Sequence, residues 1–177
     1  QYILWNGNTD DVNNRVTKGL CEVAMITAPF NTEEFHVLEV YEEPWVAMIP
    51  EDHPLAALEK IPASALAEQP FILLDKAGER DRDVMQVFER AGIVPKVRFT
   101  TLDDYAVMSM VEHGLGVSIL PKLILRRIPY RVALRPLEQP VFRQIGLATR
   151  PGEELSPAAK RFLSYLPYRD CDTLSEK

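Results

Sequence analysis

The sequence is poor in the residues that most often carry chemistry. Among 177 residues there are two cysteines, Cys21 and Cys171, and three histidines, His36, His53 and His113. Two cysteines this far apart do not make a secreted disulfide framework, which needs several closely spaced pairs. No Cys-x-x-Cys or Cys/His cluster has metal-ligand spacing, so no metal is expected. No apolar run reaches the roughly 18 residues of a membrane span. Basic clusters are scarce too: 20 Lys and Arg face 26 Asp and Glu, a net charge of −6. Neutralising a phosphate backbone needs clustered cations, so the chain is not expected to touch nucleic acid itself. Its densest basic group, Arg126, Arg127, Arg131 and Arg135, is interleaved with apolar residues.

Catalytic motifs are absent as well. There is no G-x-S-x-G, H-E-x-x-H, P-loop or G-x-G-x-x-G, and Gly114-Leu115-Gly116 follows a helical pattern instead of opening one. The carboxylates do not pair: Glu33-Glu34 and Glu42-Glu43 flank strands as solvated charges, and Asp81 and Asp83 suit a helix N-terminus. The lone histidines read as packing or capping groups. The expectation is a protein that is not an enzyme and has no cofactor.

What is present is a core and a clear alternation. Hydrophobic residues make up 46% of the chain, enough for a packed interior. Tyr2 to Trp5 reads as a strand, and Thr9 caps a helix of about Asp10 to Lys18. Glu22 to Ile26, His36 to Tyr41 and Pro44 to Ile49 are three further strands. Ser64 to Glu68 is one helical turn. Phe71-Ile72-Leu73-Leu74 is wholly apolar, as in a parallel sheet, and Arg80 to Ala91 follows as a helix with Val84, Val87 and Phe88 on one face. Val97 to Phe99 is a strand, Thr100-Thr101 open a helix to about His113, and Val117 to Leu120 is the next strand. Arg131 to Leu134 and Gln144 to Ala148 are short strands. Ser156-Pro157 starts the last helix, and Cys171 to Lys177 reads as a frayed tail.

Strand–helix–strand alternation of this kind predicts an α/β fold. The middle carries its own elements, whereas the two flanks have too few to fold alone. The economical solution is two lobes, with the middle inserted into the outer one and two strands crossing between them. Helix N-termini at the C-terminal ends of such strands present free N–H groups to ligands. Three places qualify: Asn8-Thr9, the loop at Lys76-Ala77-Gly78, and Thr100-Thr101. The first residues, Gln1 to Trp5, have no basic n-region and no cleavage site, and open inside an apolar strand without a Met. They read as the start of a piece of a longer, cytoplasmic polypeptide.

Several stretches, taken in order, resemble the effector-binding domain of LysR-type transcriptional regulators. Gly19-Leu20-Cys21-Glu22-Val23-Ala24-Met25-Ile26 is similar to the family's G-x-L-D-hydrophobic-Ala-Ile strand, with Cys21-Glu22 where Leu-Asp is usual. Pro50-Glu51-Asp52-His53-Pro54-Leu55-Ala56 resembles its P-x-x-H-P-L-A segment, and Gln69-Pro70-Phe71-Ile72 the strand after it. Ala91-Gly92-Ile93-Val94-Pro95 is similar to its G-x-x-P helix end. Val111 to Pro121, with Gly114-Leu115-Gly116 inside it, resembles its V-x-x-G-x-G-I-x-x-L-P run.

The resemblance implies a two-lobed, type 2 periplasmic-binding-protein-like fold with hinged Rossmann-like lobes, its usual first strand and helix missing. The first lobe would be 1–43 with 144–177 and the second 44–143. A small-molecule effector, an organic anion for instance, would sit between them. By position Asn8 and Thr9 would line it from the first lobe. Lys76, Gly78, Thr100, Thr101, Gly116 and Val117 would do so from the second. The resemblance also implies self-association, as a dimer or, in the full-length protein, a tetramer. DNA would be reached only through a winged helix-turn-helix outside this chain. Cys21 and Cys171 do not match the paired cysteines of peroxide-sensing members, so no redox switch is expected. An extracytoplasmic solute-binding protein and an enzyme on the same fold stay open as alternatives.

Overall fold

Fifteen consecutive residues, His36–Pro50, form one strand. The computed structural model describes residues 3–7, 9–76, 79, 80 and 82–166, with backbone alone at Thr9, Asp75, Lys76, Glu79 and Arg80. In chain order the elements are α1 (Thr9–Thr17), β1 (Ala24–Thr27), β2 (His36–Pro50), α2 (Ala63–Ala67), β3 (Pro70–Lys76), β4 (Glu79–Arg80) and α3 (Arg82–Arg90). They continue with β5 (Lys96–Thr101), α4 (Asp104–Glu112), β6 (Ser118–Pro121), β7 (Val132–Pro136), β8 (Phe142–Thr149) and α5 (Pro157–Ser164). Short 3₁₀ turns occupy Pro54–Ala57 and Lys122–Leu125.

The chain divides into two units, one made of residues up to Glu42 together with those from Arg143 on, the other of Glu43–Phe142. β2 and β8 are the strands on which the chain passes from one to the other.

In the second unit the alternation of β2 and β3 builds two cores, because successive side chains of a strand point to opposite faces. Trp45, Ala47, Ile49, Phe71 and Leu73 pack with Leu66 of α2 and with Val84, Val87 and Phe88 of α3. Val46, Met48, Ile72 and Leu74 pack with Val107, Met108 and Val111 of α4. Phe71 meets Phe88 edge to face, with ring centroids 5.1 Å apart, a favoured geometry for aromatic quadrupoles. β3 pairs in parallel with β5, and a parallel bridge from Phe71 to Val117 joins it on the other side to the residues entering β6. β6 and β7 both pair antiparallel with β2. The residues Phe71 to Leu74 are thus covered on both faces, 0–3% exposed, as a wholly apolar strand requires.

In the first unit β1 pairs antiparallel with β8, which lies between it and β2. Val16 of α1, Ala24, Ile26, Phe35 and Ala148 form its core. Ser156 caps α5, its hydroxyl accepting from the Ala159 N–H, with Pro157 in the first turn; this agrees with the sequence reading.

Four expectations need correction. Ile3, Leu4 and Trp5 lie outside any strand and are 75%, 96% and 56% exposed; a strand exists only with a partner, and among the described residues nothing pairs with them. The two strands expected at 36–41 and 44–49 are one. Glu43 is not a solvated loop charge but fully buried, its carboxylate accepting the Leu123 N–H at 2.6 Å, and Pro44 has no N–H for the ladder to satisfy. Thr100 and Thr101 do not open a helix: they end β5, and Asp103 caps α4. The tail from Cys171, like Tyr2, lies outside the described residues.

Candidate functional site

In the second unit the C-terminal ends of the parallel strands β3 and β5 lie side by side, Leu73 opposite Thr100 and Leu74 opposite Thr101. This is the edge where α/β sheets gather ligands. β3 ends at Lys76 and turns back as a hairpin, Lys76 opposite Glu79 and Asp75 opposite Arg80. Thr100 is exposed and Thr101 half-buried. The Thr101 hydroxyl accepts the Asp103 N–H at 3.2 Å, and the Asp103 carboxylate accepts the Tyr105 N–H at 2.8 Å.

The chain therefore satisfies the start of α4 with its own acid. Asp103 supplies the negative charge that the positive end of a helix prefers, and Asp104 adds a second carboxylate in the first turn. An anionic guest meets no free Tyr105 N–H here and two like charges. Sequence reading missed Asp103 because the preceding threonines are also good caps; the pair Asp103-Asp104 was the better signal, since a cap followed by an acid suits the macrodipole.

Other expected site residues have different surroundings. Gly116 is where the segment entering β6 runs close beside β3: a Cβ there would stand 2.3 Å from the Pro70 carbonyl oxygen. Val117 is 1% exposed, its N–H given to the Pro70 carbonyl and its own carbonyl accepting the Ile72 N–H, both at 2.9 Å. Both hold β3 in place. In the first unit Thr9 begins α1, with Asp10 and Asp11 in its first turn. Asn8 and Gly78 lie outside the described residues.

The histidines do not converge on one another. His53 accepts the Leu55 N–H through Nδ1 and faces the Gln69 Oε1 through Nε2, capping the 3₁₀ turn Pro54–Ala57. His113 bonds the Ser109 carbonyl at 2.8 Å near the end of α4. Among the described residues no group of three or more His, Cys, Asp or Glu could hold a metal ion, and no helix is long and apolar enough to cross a membrane. Away from these strand ends, hydrogen bonds from Ser156 hold the Glu22 carboxyl below its ordinary range, and Lys96 does the same for Glu68.

The family model described as LysR substrate binding domain matches residues 3–169. The uncharacterised HTH-type transcriptional regulator YybE of Bacillus subtilis (strain 168) is 33% identical over 147 residues, 83% of this chain and 49% of that protein. HinK, a LysR family transcriptional regulator from Pseudomonas aeruginosa, superposes with a TM-score of 0.81 at 22% identity, covering 93% of this chain and 59% of HinK. The CcmR regulatory domain of Synechocystis PCC6803, solved in complex with 2-PG, superposes with a TM-score of 0.76 at 24% identity, covering 90% of this chain and 78% of that one. The fold is thus the type 2 periplasmic-binding-protein-like fold of effector-binding domains. The chain spans about half the length of the curated relatives it matches.

Proposed function

The chain belongs to the LysR substrate-binding-domain family, and on that premise we propose that it is the ligand-sensing part of a bacterial transcription regulator. The observation that carries this reading is the family match over 3–169, nearly the whole chain. A small metabolite is the input, and a winged helix-turn-helix on the same polypeptide, outside this chain, is the output. The CcmR regulatory domain, solved with 2-PG, supports a small organic molecule as the effector class. The family consists of transcription regulators, and the regulator reading makes this chain a binder without turnover, working in the cytoplasm as a homo-oligomer. The effector acts by population shift, biasing the domain only as far as it prefers one arrangement over another.

Within the second unit, Thr100 is the residue we assign to the effector with most support, an exposed hydroxyl at the end of a parallel strand. Thr101 follows it in β5, and Lys76, Gly78, Asn8 and Thr9 belong to the same reading by their place in the sequence. Gly116 and Val117 enter it as supports that hold β3 in register. The carboxylates of Asp103 and Asp104 move the weight of anion recognition to Lys76 and Arg80.

The test is calorimetric titration of the chain with a panel of small organic acids, 2-PG among them, beside neutral and cationic metabolites. For a compound that binds, Thr100→Val is expected to cost about 1 kcal/mol of binding without changing the melting temperature. Binding of neutral or cationic compounds alone would remove the anion. Affinity unchanged in both Thr100→Val and Thr101→Val would move the site elsewhere. A gene whose upstream portion encodes a secretion signal in place of a helix-turn-helix would overturn the regulator reading as a whole.

A further inference from the structure

Residues 122–131 hold four of the chain's 20 Lys and Arg and no Asp or Glu, in a protein of net charge −6. The 3₁₀ turn Lys122–Leu125 sinks Leu125 into the core, 3% exposed, and leaves Leu123 and Ile124 42% and 37% exposed. Lys122, Arg126 and Arg127 are exposed around that aliphatic pair, and the Arg131 side chain is 86% exposed.

The segment is also fixed in shape. Near its start the buried Glu43 carboxylate accepts the Leu123 N–H at 2.6 Å. At its end the Glu112 carboxylate accepts the Arg131 N–H at 2.9 Å and lies 3.9 Å from the Arg131 Nε. Two carboxylates, one buried and one at the surface, thus fix the backbone near both ends, with Lys122, Arg126 and Arg127 exposed between them. Preorganisation of this kind lowers the ordering cost of binding.

Three kinds of partner carry negative charge. Duplex DNA would neutralise the cations but presents a largely polar phosphate and sugar surface, with apolar contacts only inside its grooves, to Leu123 and Ile124. An anionic bilayer rewards deep apolar insertion, and two side chains already more than half covered supply little of it. A protein segment with Asp or Glu interleaved with aliphatic side chains meets both halves of the surface, and Arg is enriched at such interfaces. We propose that Lys122–Arg131 is a docking surface for an acidic, aliphatic-bearing segment of a partner polypeptide. This does not depend on the effector reading.

The experiment titrates the 177-residue chain into a short fluorescent peptide that alternates Glu with Leu at helical spacing, followed by anisotropy. The expected result is binding that weakens with salt and falls about tenfold or more in the Arg126→Glu, Arg127→Glu double variant. It also falls in Leu123→Ser, Ile124→Ser and with a peptide whose Leu are replaced by Ser. Circular dichroism of the charge-reversed variant should be unchanged, since both arginines are exposed. Equal binding of the Ser peptide would overturn the proposal, as would an indifferent double variant. So would tighter binding of duplex DNA or phosphatidylserine vesicles through the same residues. Sedimentation showing that the arginines instead hold two copies of this chain together would overturn it too.

Discussion

The carboxylate of Glu22 accepts both the main-chain N–H and the hydroxyl of Ser156, at 2.7 and 2.9 Å, across 134 positions of sequence. The segment leading into β1 is thereby tied to the cap of α5. These bonds favour the ionised carboxyl and hold it below its ordinary range. Because the folded value lies below the unfolded one, the stabilisation is present in full above the ordinary carboxylate range. It is lost as the pH falls through the folded value. The melting-temperature gap between wild type and Glu22→Gln should be constant near neutrality and close in acid. A gap that persists unchanged in acid would mean that the charge contributes nothing.

Glu43 should matter more than its neighbour Glu42. Glu43→Ala strands the Leu123 N–H and is expected to cost about 2 kcal/mol or more in urea denaturation, the range for hydrogen bonds to charged groups. Glu43→Gln keeps an acceptor oxygen and should cost less. Equal losses in the two would show that charge, not the bond to Leu123, is what the site requires.

Gly116→Ala should be costly although nothing about its backbone conformation is unusual. The added carbon would stand 2.3 Å from the Pro70 carbonyl oxygen and 3.2 Å from the Ile72 side chain. β3 cannot retreat, because Phe71 to Leu74 are packed on both faces. Overpacking of this kind costs roughly 1–3 kcal/mol, read as a shifted denaturation midpoint with an unchanged slope.

Cys21 should be a sluggish thiol. Burial raises its pKa, and the nearby guanidinium groups of Arg15 and Arg150 offset only part of that rise. Alkylation by iodoacetamide should therefore stay slow through neutral pH and accelerate only above the ordinary thiol range. Peroxide treatment should produce no disulfide between Cys21 and Cys171, and mass spectrometry that found one would restore the redox switch.

The parts of the fold legible in the sequence are those set by near neighbours. Ser156-Pro157 announced α5, and Phe71 to Leu74 announced a strand buried on both faces. The capping role read for the lone histidines is likewise local at His53, which accepts the N–H two residues on. What was not legible depends on residues far away. Nothing local distinguishes Glu43 from Glu42; the buried one is the one that finds Leu123, 80 positions later. Tyr2 to Trp5 has a strand's composition, yet Ile3, Leu4 and Trp5 have nothing to pair with among the described residues. Of the candidate site, the strand ends were readable and the use of each residue there was not. Thr101 and Asp103 look interchangeable as caps until one is seen to end β5 and the other to begin α4.

The pairing of β1 with β8 sets an order of assembly on a ribosome. The second unit is one uninterrupted stretch, 43–142, and every strand its sheet needs has been made by the time Phe142 is added. Among the described residues, Ala24 to Thr27, synthesised much earlier, pair with Ile145 to Ala148. The first unit, begun before the second, is therefore completed after it. The strand edge of β1 waits through the synthesis of the whole inserted unit, an interval in which unpaired edges are open to wrong partners.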